Sequence, residues 1–203
     1  AQPGCADRRC ELACLDAPQQ IAAIHTAYLQ AGSRAIKTNT FTVSADIARG
    51  DDALAQRLIA AASRIALEAA APYDAAVFAD IGAAPEGSAL PPQEIYLRQA
   101  ELFLAQGLRC FTVETLGSDA GIAPFAAALK TRCPDAFLLV SYAVMPEGFT
   151  RGGSLGADLL RRTAALPQVD AVGLNCVSGP AHLLELVRTL APLGKLLSVQ
   201  PNA

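Results

Sequence analysis

No stretch of 18 apolar residues occurs in these 203 residues, and the first of them lack the basic-then-apolar pattern of a signal peptide. The expectation is a cytoplasmic protein that does not cross a membrane. The sequence also lacks a cluster of lysines or arginines, and 16 basic against 19 acidic residues leave a formal charge of −3. That balance offers no footprint for nucleic acid or an anionic membrane, so small molecules are the expected partners. A phosphate-cradling loop is missing too. The dense glycine segment Gly152-Gly153-Ser154-Leu155-Gly156 follows Phe149-Thr150-Arg151 rather than a strand, and it holds neither a dinucleotide fingerprint nor a P-loop lysine. A nucleotide cofactor is not expected. Charge is sparse at 17%, whereas hydrophobic residues reach 52%, enough to bury the core of a single domain over 1–203.

Six cysteines are present: Cys5, Cys10, Cys14, Cys110, Cys133 and Cys176. A chain with a full-sized core needs no disulfide scaffold, and we read them as reduced thiols. Cys5, Cys10 and Cys14 fall close together in an irregular segment. Three neighbouring thiols suit a soft metal, but this spacing matches no zinc motif.

Short apolar runs rich in Val, Ile, Leu and Phe alternate with longer stretches of helical period, the pattern of βα units around a parallel sheet. The runs are Ala35–Lys37, Ala75–Ala79, Cys110–Val113, Ala136–Val140, Ala171–Leu174 and Lys195–Val199. Roughly 24 to 41 residues separate their centres, about one strand plus its returning helix. The spacing predicts six such units. In the first helix Ile21, Ile24, His25, Tyr28 and Leu29 share one face; Asp16 can cap its start, Pro18 suits its first turn and Gly32 can end it. Similar patterns occupy about 51–71, 92–106, 119–132, 156–165 and 180–191. The Gly/Pro-rich stretches Gly82–Pro92 and Met145–Gly156 exceed ordinary connections and are candidate binding loops. His25 and His182 lie away from strand ends and are assigned no chemistry.

Every apolar run ends in polar residues: Thr38-Asn39-Thr40, Asp80, Glu114-Thr115, Ser141-Tyr142, Asn175-Cys176 and Gln200-Pro201-Asn202. In parallel α/β proteins the C-terminal strand ends meet on one face, where ligands bind. Taken singly, each could be ordinary strand termination; together they argue for a barrel mouth. A doubly wound sheet is the rival architecture, and the missing phosphate turn speaks against it.

Four of these strand ends, Lys37-Thr38-Asn39-Thr40-Phe41, Val113-Glu114-Thr115, Gly173-Leu174-Asn175-Cys176 and Pro201-Asn202-Ala203, carry a family pattern in order and at family-like distances. By these motifs the chain resembles the homocysteine S-methyltransferase family. Within it the likeness is to the homocysteine-binding domain of cobalamin-dependent methionine synthase and to bacterial homocysteine methyltransferases fused to methylenetetrahydrofolate reductase. The helix ending His25-x-x-Tyr28-Leu29-x-Ala31-Gly32 looks like the segment preceding the family's Thr-Asn-Thr-Phe strand. The resemblance implies a (β/α)8 TIM-type barrel, here incomplete, with strands 2–7 recognisable and the first and last not seen.

The resemblance also implies a chemistry. A thiol becomes a strong nucleophile only as thiolate, and binding the homocysteine sulfur to zinc lowers its pKa so that it can attack an activated methyl group, giving methionine. Zinc suits this because it is redox-inert and can keep one tetrahedral position open. Family members hold the metal with three cysteine thiolates, of which Cys176 would be the first. Glu114 would hold the substrate ammonium, while Asn39, Thr40, Asn175 and Asn202 would orient or bind substrate. The methyl donor, whether methylcobalamin, a methylated folate or a methylated sulfonium, is not selected by these residues.

Two family segments are not found: an opening Asp-Gly-Ala-x-Gly-Thr strand end and a closing Gly-Gly-Cys-Cys-Gly. With two of three zinc thiolates missing, these residues alone are expected to bind zinc weakly, and a fragment is suspected. The rival class is a non-catalytic amino-acid-binding module, a degenerate barrel without metal. An aldolase-like barrel is a weaker alternative, because Lys37 precedes its polar cluster and no lysine ends a strand in a Schiff-base position.

Overall fold

The structure, a computed structural model, describes residues 9–190 and 192–202. Cys5 and Ala203, both named above, lie outside the described residues. Six strands form one sheet: β1 (Ala35–Lys37), β2 (Ala76–Gly82), β3 (Cys110–Leu116), β4 (Phe137–Tyr142), β5 (Ala171–Asn175) and β6 (Leu196–Gln200). All five pairings are parallel and the spatial order follows the chain, β1-β2-β3-β4-β5-β6. A doubly wound sheet reverses its order at a switch point, and this one never does. The sheet also curls, since Lys37 on the first strand reaches Gln200 on the last across the inner face. The result is a half-barrel.

The predicted runs coincide with the strands, but β2, β3 and β4 extend two or three residues further into their polar ends. Ahead of β1 runs α2 (Pro18–Gln30), and between successive strands run α4 (Asp52–Ala70), α5 (Pro92–Ala105), α6 (Ile122–Arg132), α7 (Gly156–Ala164) and α8 (Pro180–Thr189). The period of the sequence located all six. It missed the short α1 (Ala13–Asp16) and α3 (Val43–Ala48). Asp16 does not cap α2: it ends α1, and Ala17 takes the cap position without a side-chain bond. Gly32 does close α2, with φ +99 in the region that glycine enters without a Cβ penalty.

Alternation along the strands sorts the side chains into two faces. Ile36, Val77, Ile81, Phe111, Val113, Leu138, Val140, Val172 and Leu174 point outward under the helices and are all buried. Each such side chain contributes roughly 1.5–3 kcal/mol by leaving water. The other parity, Lys37, Asp80, Thr112, Glu114, Ser141, Asn175, Ser198 and Gln200, lines the inner face. A closed barrel interior is usually packed with branched apolar residues; here Phe78, Leu139 and Ala171 share the face with these polar side chains. A groove of about 930 Å³ runs along it, lined by Lys37, Asn39, Asp80, Thr112 and Gln200 among others.

The predicted apolar face of α2 divides. His25 and Leu29 are buried, whereas Ile24 (52% exposed) and Tyr28 (65%) border the groove beside β1. No residue of the stretches Gly82–Pro92 and Met145–Gly156 lines that groove, so these loops are not its walls.

Candidate functional site at the strand ends

Two threonines fix the end of β1. The Thr40 hydroxyl donates to the Asp80 carbonyl (2.7 Å), the Asp80 N–H donates to Thr38 Oγ1 (3.0 Å), and the two hydroxyls bond each other. Thr40 is fully buried and its hydroxyl is spent on backbone, so it positions the strand end. Asn39 turns the other way, donating to the Cys10 carbonyl (2.8 Å) and to Cys14 Sγ (3.5 Å). The segment carrying those cysteines is latched by Arg9, whose guanidinium meets both oxygens of buried Asp46 on α3 at 2.7 Å.

Asn175, the last residue of β5, is the hub of the opposite side. It is 1% exposed and both its side-chain polar atoms are engaged. Its Oδ1 accepts from the Thr115 N–H (3.0 Å); its Nδ2 donates to Glu114 Oε2 (3.1 Å) and Thr115 Oγ1 (2.8 Å) and lies 3.4 Å from Cys176 Sγ. One amide thus ties a carboxylate, a backbone N–H and a thiol into one cluster. The backbone there is strained. Thr115, Cys176 and Val177 have φ of 60°, 55° and 60°, a region that costs non-glycine residues about 1–3 kcal/mol each. The Cys176 N–H donates to the Gln200 carbonyl and its own carbonyl accepts from Ser178, which holds this turn.

Glu114 is buried and already faces a cation. The Lys37 ammonium lies 2.7 and 2.8 Å from its two oxygens and 3.3 Å from Gln200 Oε1. Lys37 is the last residue of β1, as the run Ala35–Lys37 predicts, and precedes the Thr38-Asn39-Thr40 cluster. Burial alone would lower its pKa, but the Asp80 and Glu114 charges and the hydrogen bonds to Glu114 outweigh it and raise the value. A lysine held as ammonium is no Schiff-base nucleophile. Burial pushes the Asp80 carboxyl well above the usual range, and nearby Glu114 adds to the push while Lys37 opposes it. Asp80 Oδ1 and Thr112 Oγ1, both buried on the inner face, have no partner among the described residues.

Not every polar strand end joins the cluster. The Tyr142 phenol points outward to Thr163, and burial pushes its pKa up to about 12. Ser141 sits deeper, beside Gly173, where an added Cβ would stand 3.0 Å from its hydroxyl. Asn202 is exposed, and its N–H caps the Cys176 turn by donating to Ser178 O. The residues that the sequence passed over are Lys37 and the full reach of Asn175. Strict alternation from Ile36 would have turned Lys37 inward.

The thiols do not assemble a metal centre by themselves. Cys176 stands with neutral Thr115 and Asn175, while Cys10 and Cys14 keep company with Asn39. Among the described residues no three Cys, His, Asp or Glu side chains converge on one point. One thiolate with neutral neighbours has neither the charge nor the ligand count of a zinc site.

A curled parallel sheet that gathers a thiol, a carboxylate and an amide at its C-terminal strand ends has the architecture of a (β/α) barrel, a fold whose ligands bind at that end. Residues 5–203 match the Homocysteine S-methyltransferase family model, and the chain belongs to that family. It is 31% identical over 209 residues to the methionine synthase of Mycobacterium tuberculosis, an alignment covering 92% of this chain and 17% of that protein. The chain therefore spans about a sixth of the length of that curated relative. Among solved structures it is similar to the Escherichia coli homocysteine methyltransferase MmuM. The apo form is 25% identical with a TM-score of 0.73, covering 95% of this chain and 75% of that one. The metallated form gives 23% and 0.74. No helix among the described residues is long and apolar enough to cross a membrane.

Proposed function

We propose that this chain is the homocysteine-binding part of an enzyme that moves a methyl group onto the homocysteine sulfur, giving methionine. The observation that supports it most is the Asn175 hub, which sets the Glu114 carboxylate at the end of β3 and the Cys176 thiol after β5 against one amide, across the intervening β4. A carboxylate suits the α-ammonium of an amino acid and a thiol suits the metal-bound end, so the two span an amino acid's ends. Asn39 lines the groove beyond the end of β1, Thr40 braces that strand end, and Asn202 braces the Cys176 turn.

In this reading Cys176 contributes one thiolate to a zinc site whose two further ligands are the adjacent cysteine pair that the family resemblance implies. The donor set of the described residues does not itself fit zinc. The chain's own residues hold the substrate: Glu114 fixes its cationic end, Asn175 fixes Glu114, and the strained Thr115 and Cys176 backbone aims the thiol into the mouth. The homocysteine thiolate, the methyl carbon and the leaving group must stand nearly in line, so the donor approaches the homocysteine sulfur from the open mouth.

The test uses the full-length protein with homocysteine and, in turn, methylcobalamin, a methylated folate and a methylated sulfonium. Transfer with at least one donor is expected, together with a loss of at least roughly 100-fold in Cys176→Ala, the upper end of what losing a mere outer-shell partner costs. Full transfer and zinc binding in Cys176→Ala would overturn the assignment of Cys176. Tight homocysteine binding with no transfer from any donor would make the protein an amino-acid-binding module instead.

A further inference from the structure

Positive φ is ordinarily left to glycine, yet the turn after β5 uses valine. Val177 has φ 60° and stands at the centre of a γ-turn in which the Ser178 N–H donates to the Cys176 carbonyl at 2.6 Å. A γ-turn of that hand is rare and strained, and a β-branched side chain makes it worse. Packing does not demand the valine, since Val177 is 37% exposed. Gly179, only two residues on, has φ −76° and ψ 171°, an extended conformation that needs no glycine. Clamps on two sides hold the turn. The Cys176 N–H donates to the Gln200 carbonyl (3.0 Å) and the Asn202 N–H to the Ser178 carbonyl (3.1 Å), while the Ser178 hydroxyl donates to the Val144 carbonyl (2.7 Å) past the end of β4. Strain of this kind persists only where the surroundings over-determine it, and it gathers at functional sites.

We propose that Val177 is a positioning residue for Cys176: its cramped left-handed turn leaves the preceding thiol one place to stand, beside the Asn175 amide and the Thr115 hydroxyl. The left-handed well open to a residue with a Cβ is small, and the β-branch stiffens the side chain as well, so a clamped valine has little room to move. Glycine would have a broad well. It would relax the turn, and the Cys176 thiol, 3.4 Å from Asn175 Nδ2 and 3.9 Å from Thr115 Oγ1, would lose its fixed place. The chain thus gives up stability at residue 177 for order at residue 176. The consequence for methyl transfer rests on the homocysteine reading above; the fixing of the turn does not.

The experiment compares full-length wild type, Val177→Gly and Val177→Thr by urea unfolding, by amide hydrogen exchange and by methyl-transfer rate with whichever donor serves the wild type. Val177→Gly should unfold at a urea concentration no lower than wild type, because relief of the left-handed strain offsets the extra freedom of glycine in the unfolded chain. Its amides at 176–178 should nonetheless exchange roughly 5- to 30-fold faster, the worth of ordering one residue's backbone, while those of β5 stay as slow as before. Methyl transfer should slow by a similar factor. Val177→Thr keeps the β-branch and should restore wild-type exchange and wild-type transfer. A lower urea midpoint for Val177→Gly would show that the valine serves packing, and unchanged exchange at 176–178 would show that the clamps alone fix the turn; either overturns the proposal. Full-rate transfer by a Val177→Gly protein whose turn has loosened overturns it too. If wild type transfers no methyl group, the functional reading fails, and the exchange and unfolding results still decide whether Val177 fixes the turn.

Discussion

Replacing Asn175 with leucine keeps the bulk of the side chain and removes every hydrogen bond it makes, so the loss can be worked out bond by bond. The Thr115 N–H loses its partner (3.0 Å), in a backbone already at φ 60°. A buried donor left unmade costs about 1–3 kcal/mol. Glu114 Oε2 loses a neutral donor at 3.1 Å but keeps Lys37 at 2.8 Å, which limits that part to about 1 kcal/mol. The Thr115 hydroxyl can turn to Cys176 Sγ, 3.9 Å away, and adds little. The sum is about 3 kcal/mol, which for a chain of this length corresponds to a fall in Tm of roughly 6–12 °C. Urea unfolding followed by circular dichroism gives the free energy directly. Combining the substitution with Glu114→Gln should return a coupling of about 1 kcal/mol, because the two share one contact. A destabilisation below about 1 kcal/mol, or perfectly additive variants, would refute Asn175 as the hub.

Two further predictions concern the inner face and the loop behind it. Because the Asp80 carboxyl titrates well above its ordinary value of 3.8, the folded chain holds that proton more tightly than the unfolded chain does. The associated stabilisation is complete below the unfolded pKa and is lost as pH rises through the folded one. Asp80→Asn, neutral at every pH, should therefore melt higher than wild type at pH 8 and lose that advantage near pH 4; an identical difference at both pH values contradicts the argument. In Gly82→Ala the new Cβ would lie 2.2 Å from the Phe41 carbonyl oxygen, so the loop carrying Asn39 must move. A cost of about 3 kcal/mol is expected in denaturant titration, at the high end of overpacking, and a cost near zero would show that the loop yields freely.

The strands were legible because each is a short apolar run bounded by polar residues, and the six long helices because each spans enough turns to show its period. Helix α3 was not: six residues carry less than two full turns of pattern, and what holds it is Arg9, more than thirty residues away in sequence. Ile24 and Tyr28 fit the apolar face of α2, but periodicity identifies a face without saying whether anything covers it. At the site, the polar strand ends announced where the mouth is and the family motifs picked out Glu114, Asn175 and Cys176. The partner of Glu114 was passed over because Lys37 was weighed only as a Schiff-base nucleophile, although alternation from Ile36 turns it inward. The left-handed turn at Cys176 and Val177 left no trace at all; valine is among the residues least suited to that conformation.

The bond between Lys37 and Gln200 joins residues 163 positions apart, which sets an order on assembly during synthesis. The ribosome releases β1 early and β6 only after four more strands and their helices. Until β6 lies along β5, the Cys176 N–H lacks the Gln200 carbonyl and Lys37 lacks the Gln200 amide. Thr38, Thr40 and Asp80 can lock together in a nascent chain long before that. The pocket therefore matures from its β1 side toward its β6 side, and a product stalled before β6 would carry the locked Thr38, Thr40 and Asp80 corner without a fixed Cys176 turn.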